Sequence, residues 1–295
     1  MNTLSHEAGR IVKETFNFDV KPHRLKGPDN VATPWWGLFR TDTWEPVGPR
    51  SVSPRYTAHT TDDVVALTEA GCQVFDGIMD LKCHFSDGHH VVLQPSSEYR
   101  QAIYGTNDNV FPRVWIQAGY NGTCFSASLG LHRDLCRNEM MLQSVSQFHV
   151  KIKHTRSLRA KMDDLIHQFQ GLRAGWSNLV DTIRQMENRQ VSMKEFLIDV
   201  YGAPEENSGR SRTIHTNRVE SIFRRLTRER MRSGRPELAR VDGGWMVSAW
   251  EAFNAVQGYE QHDASRKGNP SDFERILKAN SSPNVRRAET LALVG

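Results

Sequence analysis

Two segments in the middle of the chain constrain its fold most. LKCHFSDGHHVVLQPS carries Ser86-Asp87-Gly88 between two apolar-rich runs, and RVWIQAGYNGTCFSASLGLH carries Gly119-Tyr120-Asn121-Gly122 between two more. Asp-Gly and Asn-Gly supply the positive φ angles that tight turns need, so residues 80–130 read as two β-hairpins. Helical periodicity flanks them. Thr61-Asp62-Asp63 opens a helix with Val64, Leu67 and Cys72 or Phe75 at helical spacing, and the two acids suit the positive end of its dipole. After the second hairpin the pattern is helical from Arg133 through Gln147. It stays helical from His149 to about Asn188, as one helix or two.

The expected class is therefore α+β: a central β-hairpin sheet with a packed helix, followed by a helical C-terminal region. Residues 1–60 are rich in Trp and Pro and read as irregular and short extended pieces. Residues 61–202 form the α+β core, ending in a helix over Ser192–Tyr201. Residues 203–217 are a polar connector and 218–295 the helical C-terminal part. That part begins with a basic helix, Arg218–Arg232, with Val219, Ile222, Phe223 and Leu226 on one face. Trp245, Ala249, Phe253 and Val256 mark the next helix, and a last helix runs from about Ser271 to the end.

Composition adds limits. With 38% hydrophobic and 24% charged residues among 295, the chain has the make-up of a soluble folded protein. No run approaches the roughly 18 apolar residues of a membrane span, and the first ten residues have no apolar core behind a basic end, so a cytoplasmic location is expected, that of the host if phage-encoded. The four cysteines lie far apart without a CxxC pair and are expected reduced.

Charge is informative in its distribution. The net value is only +4, yet residues 206–240 hold ten arginines against four glutamates, a local +6. A single-strand site needs cations along the backbone and aromatic faces for bases. The candidates at the second hairpin are Arg113, Trp115 and Tyr120, with Arg133 and Arg137 four apart on the helix expected to follow. Lys151, Lys153, Arg156 and Arg159 come next, and the arginine-rich stretch adds Arg210, Arg212, Arg224, Arg225 and Arg228. The bland reading makes Trp115 core and pairs the arginines with neighbouring acids on a solvated face.

Other chemistries have thinner support. The chain has no GxxxxGK[ST], GxGxxG or GxSxG pattern, so ATP-driven, dinucleotide and serine-hydrolase chemistry are disfavoured and no cofactor is expected. Asp76 and Asp80, one turn apart if helical, do not complete a nuclease pattern. His132 and Cys136 at i, i+4, with Cys83, Cys124, His84, His89 and His90 nearby, do not demand a zinc site, and no metal is assigned; His89-His90 is expected to be exposed in a turn. Enzymatic activity is left open, leaning against.

Leu131-His132-Arg133-Asp134-Leu135-Cys136-Arg137-Asn138, then Ile152-Lys153-His154-Thr155-Arg156, then Trp250-Glu251-Ala252-Phe253-Asn254-Ala255-Val256 with Tyr259 and His262, together resemble the DUF932 family of phage- and plasmid-like proteins. The typical Val-Cys-x-Asn-Thr-Leu stands here as Leu135-Cys136-Arg137-Asn138-Glu139-Met140, and Gly-Thr-x-Trp as Val247-Ser248-Ala249-Trp250. The resemblance implies a mobile-element setting and DNA transactions such as replication or recombination. In element order the hairpins and following helix are also similar to Rad52-type single-strand annealing proteins, an analogy of fold alone. The expected function is binding of single-stranded DNA, with ATP-independent annealing by a homo-oligomer. The alternative is a phage factor that binds a host protein.

Overall fold

The computed structural model describes residues 3–48, 51–76, 78–86, 88–95, 97–120, 124–142, 149–203, 209–241, 244–264 and 270–294. In chain order the first half holds α1 (Thr3–Thr15), β1 (Val20–Lys26), β2 (Ala32–Arg40), α2 (Thr61–Val74), β3 (Ile78–Phe85), β4 (Gly88–Pro95), β5 (Gln101–Tyr104), β6 (Asp108–Gly119), β7 (Phe125–Arg133), β8 (Asn138–Met140) and β9 (His149–Ile152). The second half holds α3 (Leu158–Gln168), α4 (Leu172–Asn188), β10 (Gln190–Ser192), α5 (Met193–Tyr201), α6 (Gly209–Ser233), β11 (Arg240–Val241), β12 (Gly244–Ser248), α7 (Ala249–Gly258), α8 (Asp272–Asn280) and α9 (Pro283–Leu293). The architecture is α+β, and the paired strands are antiparallel.

The chain forms two compact units. The first comprises Met1–Tyr99, Pro112–Gly130 and Gln147–Trp176. Ala8 and Val12 on α1 and Phe16 just after its end are buried at four-residue intervals, and α1 packs on α2 and β3. Helix α2 starts where the sequence predicts because Thr60 and Asp63 close a capping box: the Asp63 amide donates to Thr60 Oγ1 at 3.2 Å and the Thr60 amide to Asp63 at 2.7 Å. The first predicted hairpin is β3–β4, with Phe85 opposite His89. At its turn Gly88 is obligatory, because a Cβ there would collide with the Ala118 carbonyl of the neighbouring strand. A smaller core of Phe18, Val20, Leu38, Val47 and Tyr120 lies under the β1–β2 hairpin.

The second unit comprises Arg100–Phe111, Leu131–Ser146 and Ser177–Gly295. All ten residues of α7 are buried, and α6, α9 and β12 pack around it. A helix apolar all round would suit that position; this one also carries Glu251, Asn254 and Gln257, each with internal partners. Ser248 caps it in a second capping box with Glu251.

The structure corrects several expectations. Residues 133–140 are a β-turn-β segment: β7 runs to Arg133, Arg137 takes φ 55, and β8 pairs back with Arg133 opposite Asn138. The helical spacing there misled because β8 is only three residues long and its polar partners come from elements more than a hundred residues away. His149–Ile152 is strand β9, whose alternation of buried Ile152 with exposed Lys151 and Lys153 is period two. The N-terminal segment contains helix α1, and α6 starts at Gly209, inside the expected connector. Gly244–Ser248 is strand rather than helix. Ser281-Ser282-Pro283 splits the last helix in two, since proline cannot continue a helix but suits its first turn. Residues 121–123, 143–148 and 204–208 lie outside the described residues, and with them the tip of the second hairpin and part of the connector.

Candidate functional site

Helix α6 sorts its arginines onto two faces. Arg210, Arg224, Arg228 and Arg232 share one face at helical spacing, are all exposed, and form no ion pair among the described residues. The inner arginines are committed. Arg218 lies 4.6 Å over the Tyr201 ring, and Arg225 holds Asp263 through contacts of 2.9 and 3.0 Å. Arg230 donates to both Glu251 oxygens at 2.6 Å and to the Pro236 carbonyl.

Below the inner face lies a buried charge network. Arg133 donates to both oxygens of Asp108, at 2.7 and 2.8 Å, and to Glu229 at 2.6 Å. Arg235 pairs with Asp108 at 3.2 Å and with Glu187, and its Nε lies 3.6 Å from Glu251. Four arginines (Arg133, Arg225, Arg230, Arg235) thus meet five carboxylates, and paired burial is what makes these charges tolerable. Burial acts on Asp108 to raise its pKa, but the Arg133 and Arg235 guanidiniums outweigh it and hold the carboxyl below its ordinary range. For Glu229 burial prevails over Arg133 and Arg225, and the carboxyl sits above its ordinary range. A cleft of about 330 Å³ beside the network is lined by Arg230, Arg235, Met231, Leu238 and Trp245. Its two arginines already have carboxylate partners, so it offers an anion little free charge.

Around the network, side-chain amides complete the hydrogen bonding of β8, a strand at the end of the sheet order. Gln261 Oε1 accepts from the Glu139 amide at 3.0 Å, and Gln257 and Asn280 donate to the Glu139 carbonyl at 3.2 and 2.9 Å. Asn280 also accepts from the Met141 amide at 2.8 Å. Asn138 donates to the Asn254 carbonyl at 3.1 Å and stands 3.2 Å from His262 Nε2. A buried strand edge with these groups unpaired would be costly, so the amides on α7, on the π-helical segment Tyr259–Asp263 that follows it and on α8 hold β8 in place. The segments 131–138 and 250–262 therefore meet here, with Arg133 also 5.7 Å over the Trp250 ring.

The model of the family described as a domain of unknown function, DUF932, matches residues 50–291, well over half of the chain. The chain belongs to the DUF932 family. No curated protein and no solved structure matches it.

In this DUF932 protein the expected site residues divide by burial. Arg113, Trp115, Tyr120 and Arg133 are buried, so the expectation that they present charge and ring faces to a strand is corrected. Arg113 is bound to Gln94, and Trp115 is core. Tyr120 belongs to a buried ring cluster, stacked on His59 at 4.2 Å, while His59 Nε2 lies 3.0 Å from His89 Nδ1. His89 and His90 are thus interior, not exposed. Burial keeps both His59 and His89 neutral, His89 being pushed down to about 3. Arg137, Lys151, Lys153, Arg156, Arg159, Arg210, Arg212, Arg224 and Arg228 are exposed, whereas Arg225 is paired. Arg133 and Arg137 do not share a helix face, because they stand at a strand end and in a turn.

His132 and Cys136 are likewise on a strand and a turn, and Asp76 lies beyond the end of α2 while Asp80 is on β3. Among the described residues no group of three or more His, Cys, Asp or Glu is placed to hold a metal ion. No helix among them is long and apolar enough to cross a membrane. Sequence reasoning missed Asp108, Glu187, Glu229 and Arg235 as one network. The one local signal was Arg225 and Glu229 at i, i+4 on an otherwise arginine-rich helix.

Proposed function

We propose that the protein binds nucleic acid, single-stranded DNA foremost, through the phosphate backbone along the outer face of α6. The observation that carries this reading is the sorting of arginines: the same helix pairs Arg225 and Arg230 with carboxylates and leaves Arg210, Arg224, Arg228 and Arg232 without one among the described residues. Unpaired guanidiniums in a row match the spacing tolerance of a flexible phosphate chain and release its counterions on binding. No phosphate loop is needed, and strand annealing by an oligomer would follow from concentrating two strands on such faces. Because Trp115 and Tyr120 are interior, base stacking in this reading must come from other rings.

A second reading has its own observation. Met231, 77% exposed, and Ile214 lie beside the arginines on α6, a mixture that suits an acidic surface of a host protein. Fluorescence polarisation of labelled single-stranded DNA separates the two. Charge reversal in the double variant R224E/R228E should abolish salt-sensitive DNA binding, whereas unchanged DNA binding by that variant contradicts the proposal.

A further inference from the structure

The β1–β2 hairpin presents rings and cations to solvent on a part of the chain that precedes the family match at residue 50. His23 is registered with Gly37, so Lys21 and His23 on β1 and Trp35 on β2 lie on one face. Lys21, His23 and Trp35 are exposed, Trp35 to 59%. Trp44, in the turn after β2, joins that face: its indole meets the His23 ring edge-on at 4.6 Å and remains 60% exposed.

The backbone at Trp44 is the unusual element. It takes φ 61, with its amide bonded to the Arg40 carbonyl at 3.2 Å. A bulky side chain in the left-handed region is strained, and glycine or asparagine would occupy it with less strain. The strain is not offset by burial, since most of the indole faces water. Strained positions of this kind persist where the displayed side chain has a use. From Val20 to Lys26 the strand holds three exposed cations and no acid; Lys21 shares the face of His23 and Trp35, while Arg24, registered with Trp36, and Lys26 lie on the opposite one.

We infer that this hairpin is a stacking platform for unpaired nucleobases, with Trp35 and Trp44 as the ring faces and Lys21, on the same face, as a phosphate contact. The inference rests on the nucleic-acid reading above and deepens it, because indoles select single strands whose bases are free to splay, whereas a paired duplex offers only backbone. An exposed lysine on the face of two exposed indoles complements a polyanion with planar bases.

The test uses the full chain, a labelled oligothymidylate and the corresponding duplex, in polarisation titrations at fixed salt. Trp44→Gly suits the local φ and Trp35→Ser removes an exposed ring, so both variants should fold; melting temperature checks this. Stacking of one base on one ring predicts a loss of single-strand affinity of about tenfold for each variant, with duplex affinity unchanged. Wild-type protein that binds DNA, with both variants keeping its single-strand affinity, overturns the platform and leaves the α6 reading standing. Wild-type protein that binds neither probe overturns both. If Trp44→Gly dissociates an oligomer seen by light scattering and leaves strand affinity intact, the face joins copies of this chain and the platform is rejected.

Discussion

Arg133 reaches Glu229, 96 positions further along the chain, through a 2.6 Å contact in which both side chains are almost fully buried. The same guanidinium holds Asp108 with its other two bonds. Removing the arginine would leave two buried carboxylates with one longer-range partner each, Arg235 at 3.2 Å for Asp108 and Arg225 at 3.5 Å for Glu229, in an interior where under-compensated charge is costly. Arg133→Met should therefore lower the unfolding free energy by about 3–5 kcal/mol. Urea denaturation measures it; a loss below about 1 kcal/mol would show that the network relaxes or hydrates when broken.

The two carboxylates should respond to pH in opposite senses. Asp108, held below its ordinary pKa, contributes stability above the unfolded value that is lost as pH falls through the lower folded value. Glu229, held above its ordinary pKa, contributes stability below the unfolded value that is lost as pH rises through the higher folded value. Glu229→Gln should accordingly flatten the stability profile just above the ordinary carboxylate range, as read from urea midpoints at stepped pH. An identical profile in variant and wild type would contradict this assignment.

Acid should also act through the histidine cluster. An unfolded His89 takes up a proton near the ordinary 6.5, whereas the folded one resists to about 3, so its contribution is complete above about 6.5 and fades as pH falls toward 3. His59, also neutral through burial, works in the same direction. Thermal melts from neutral pH downward should show the loss, and His89→Gln should shorten that limb.

Strand β8 offers a mutational test of its own. Gln257→Leu keeps the size of a buried side chain but leaves one donor fewer for the Glu139 carbonyl, which Asn280 still serves. The expected cost is about 1 kcal/mol alone and more than the sum of the single effects when Asn280→Leu is added, because only then is the carbonyl left without either amide. A double-mutant cycle in chemical denaturation reads the coupling, and simple additivity would count against the shared role.

What was legible in the sequence followed from local chemistry. The Asp-Gly dipeptide between two apolar runs, the Thr61-Asp62-Asp63 helix start and the helical pattern over Ser192–Tyr201 are short-range signals, and β3–β4, α2 and α5 form where expected. The arginine run of α6 was visible as composition, but its division into paired and unpaired faces depends on Asp263 and Glu251 arriving from far along the chain. Residues 133–140 were misread because β8 is a strand that owes its edge to Gln257, Gln261 and Asn280, partners more than a hundred residues away. Trp44 could not be singled out by residue type, since its significance is a backbone angle.

Contact between the outer arginines of α6 and phosphates would be read from the salt dependence of single-strand binding in wild type and R224E/R228E. With about four phosphate contacts, log affinity should fall against log salt with a slope of about −3 for wild type, and the variant should bind much more weakly with a slope nearer zero. Binding that is insensitive to salt, or a variant with the wild-type affinity and slope, would contradict the account.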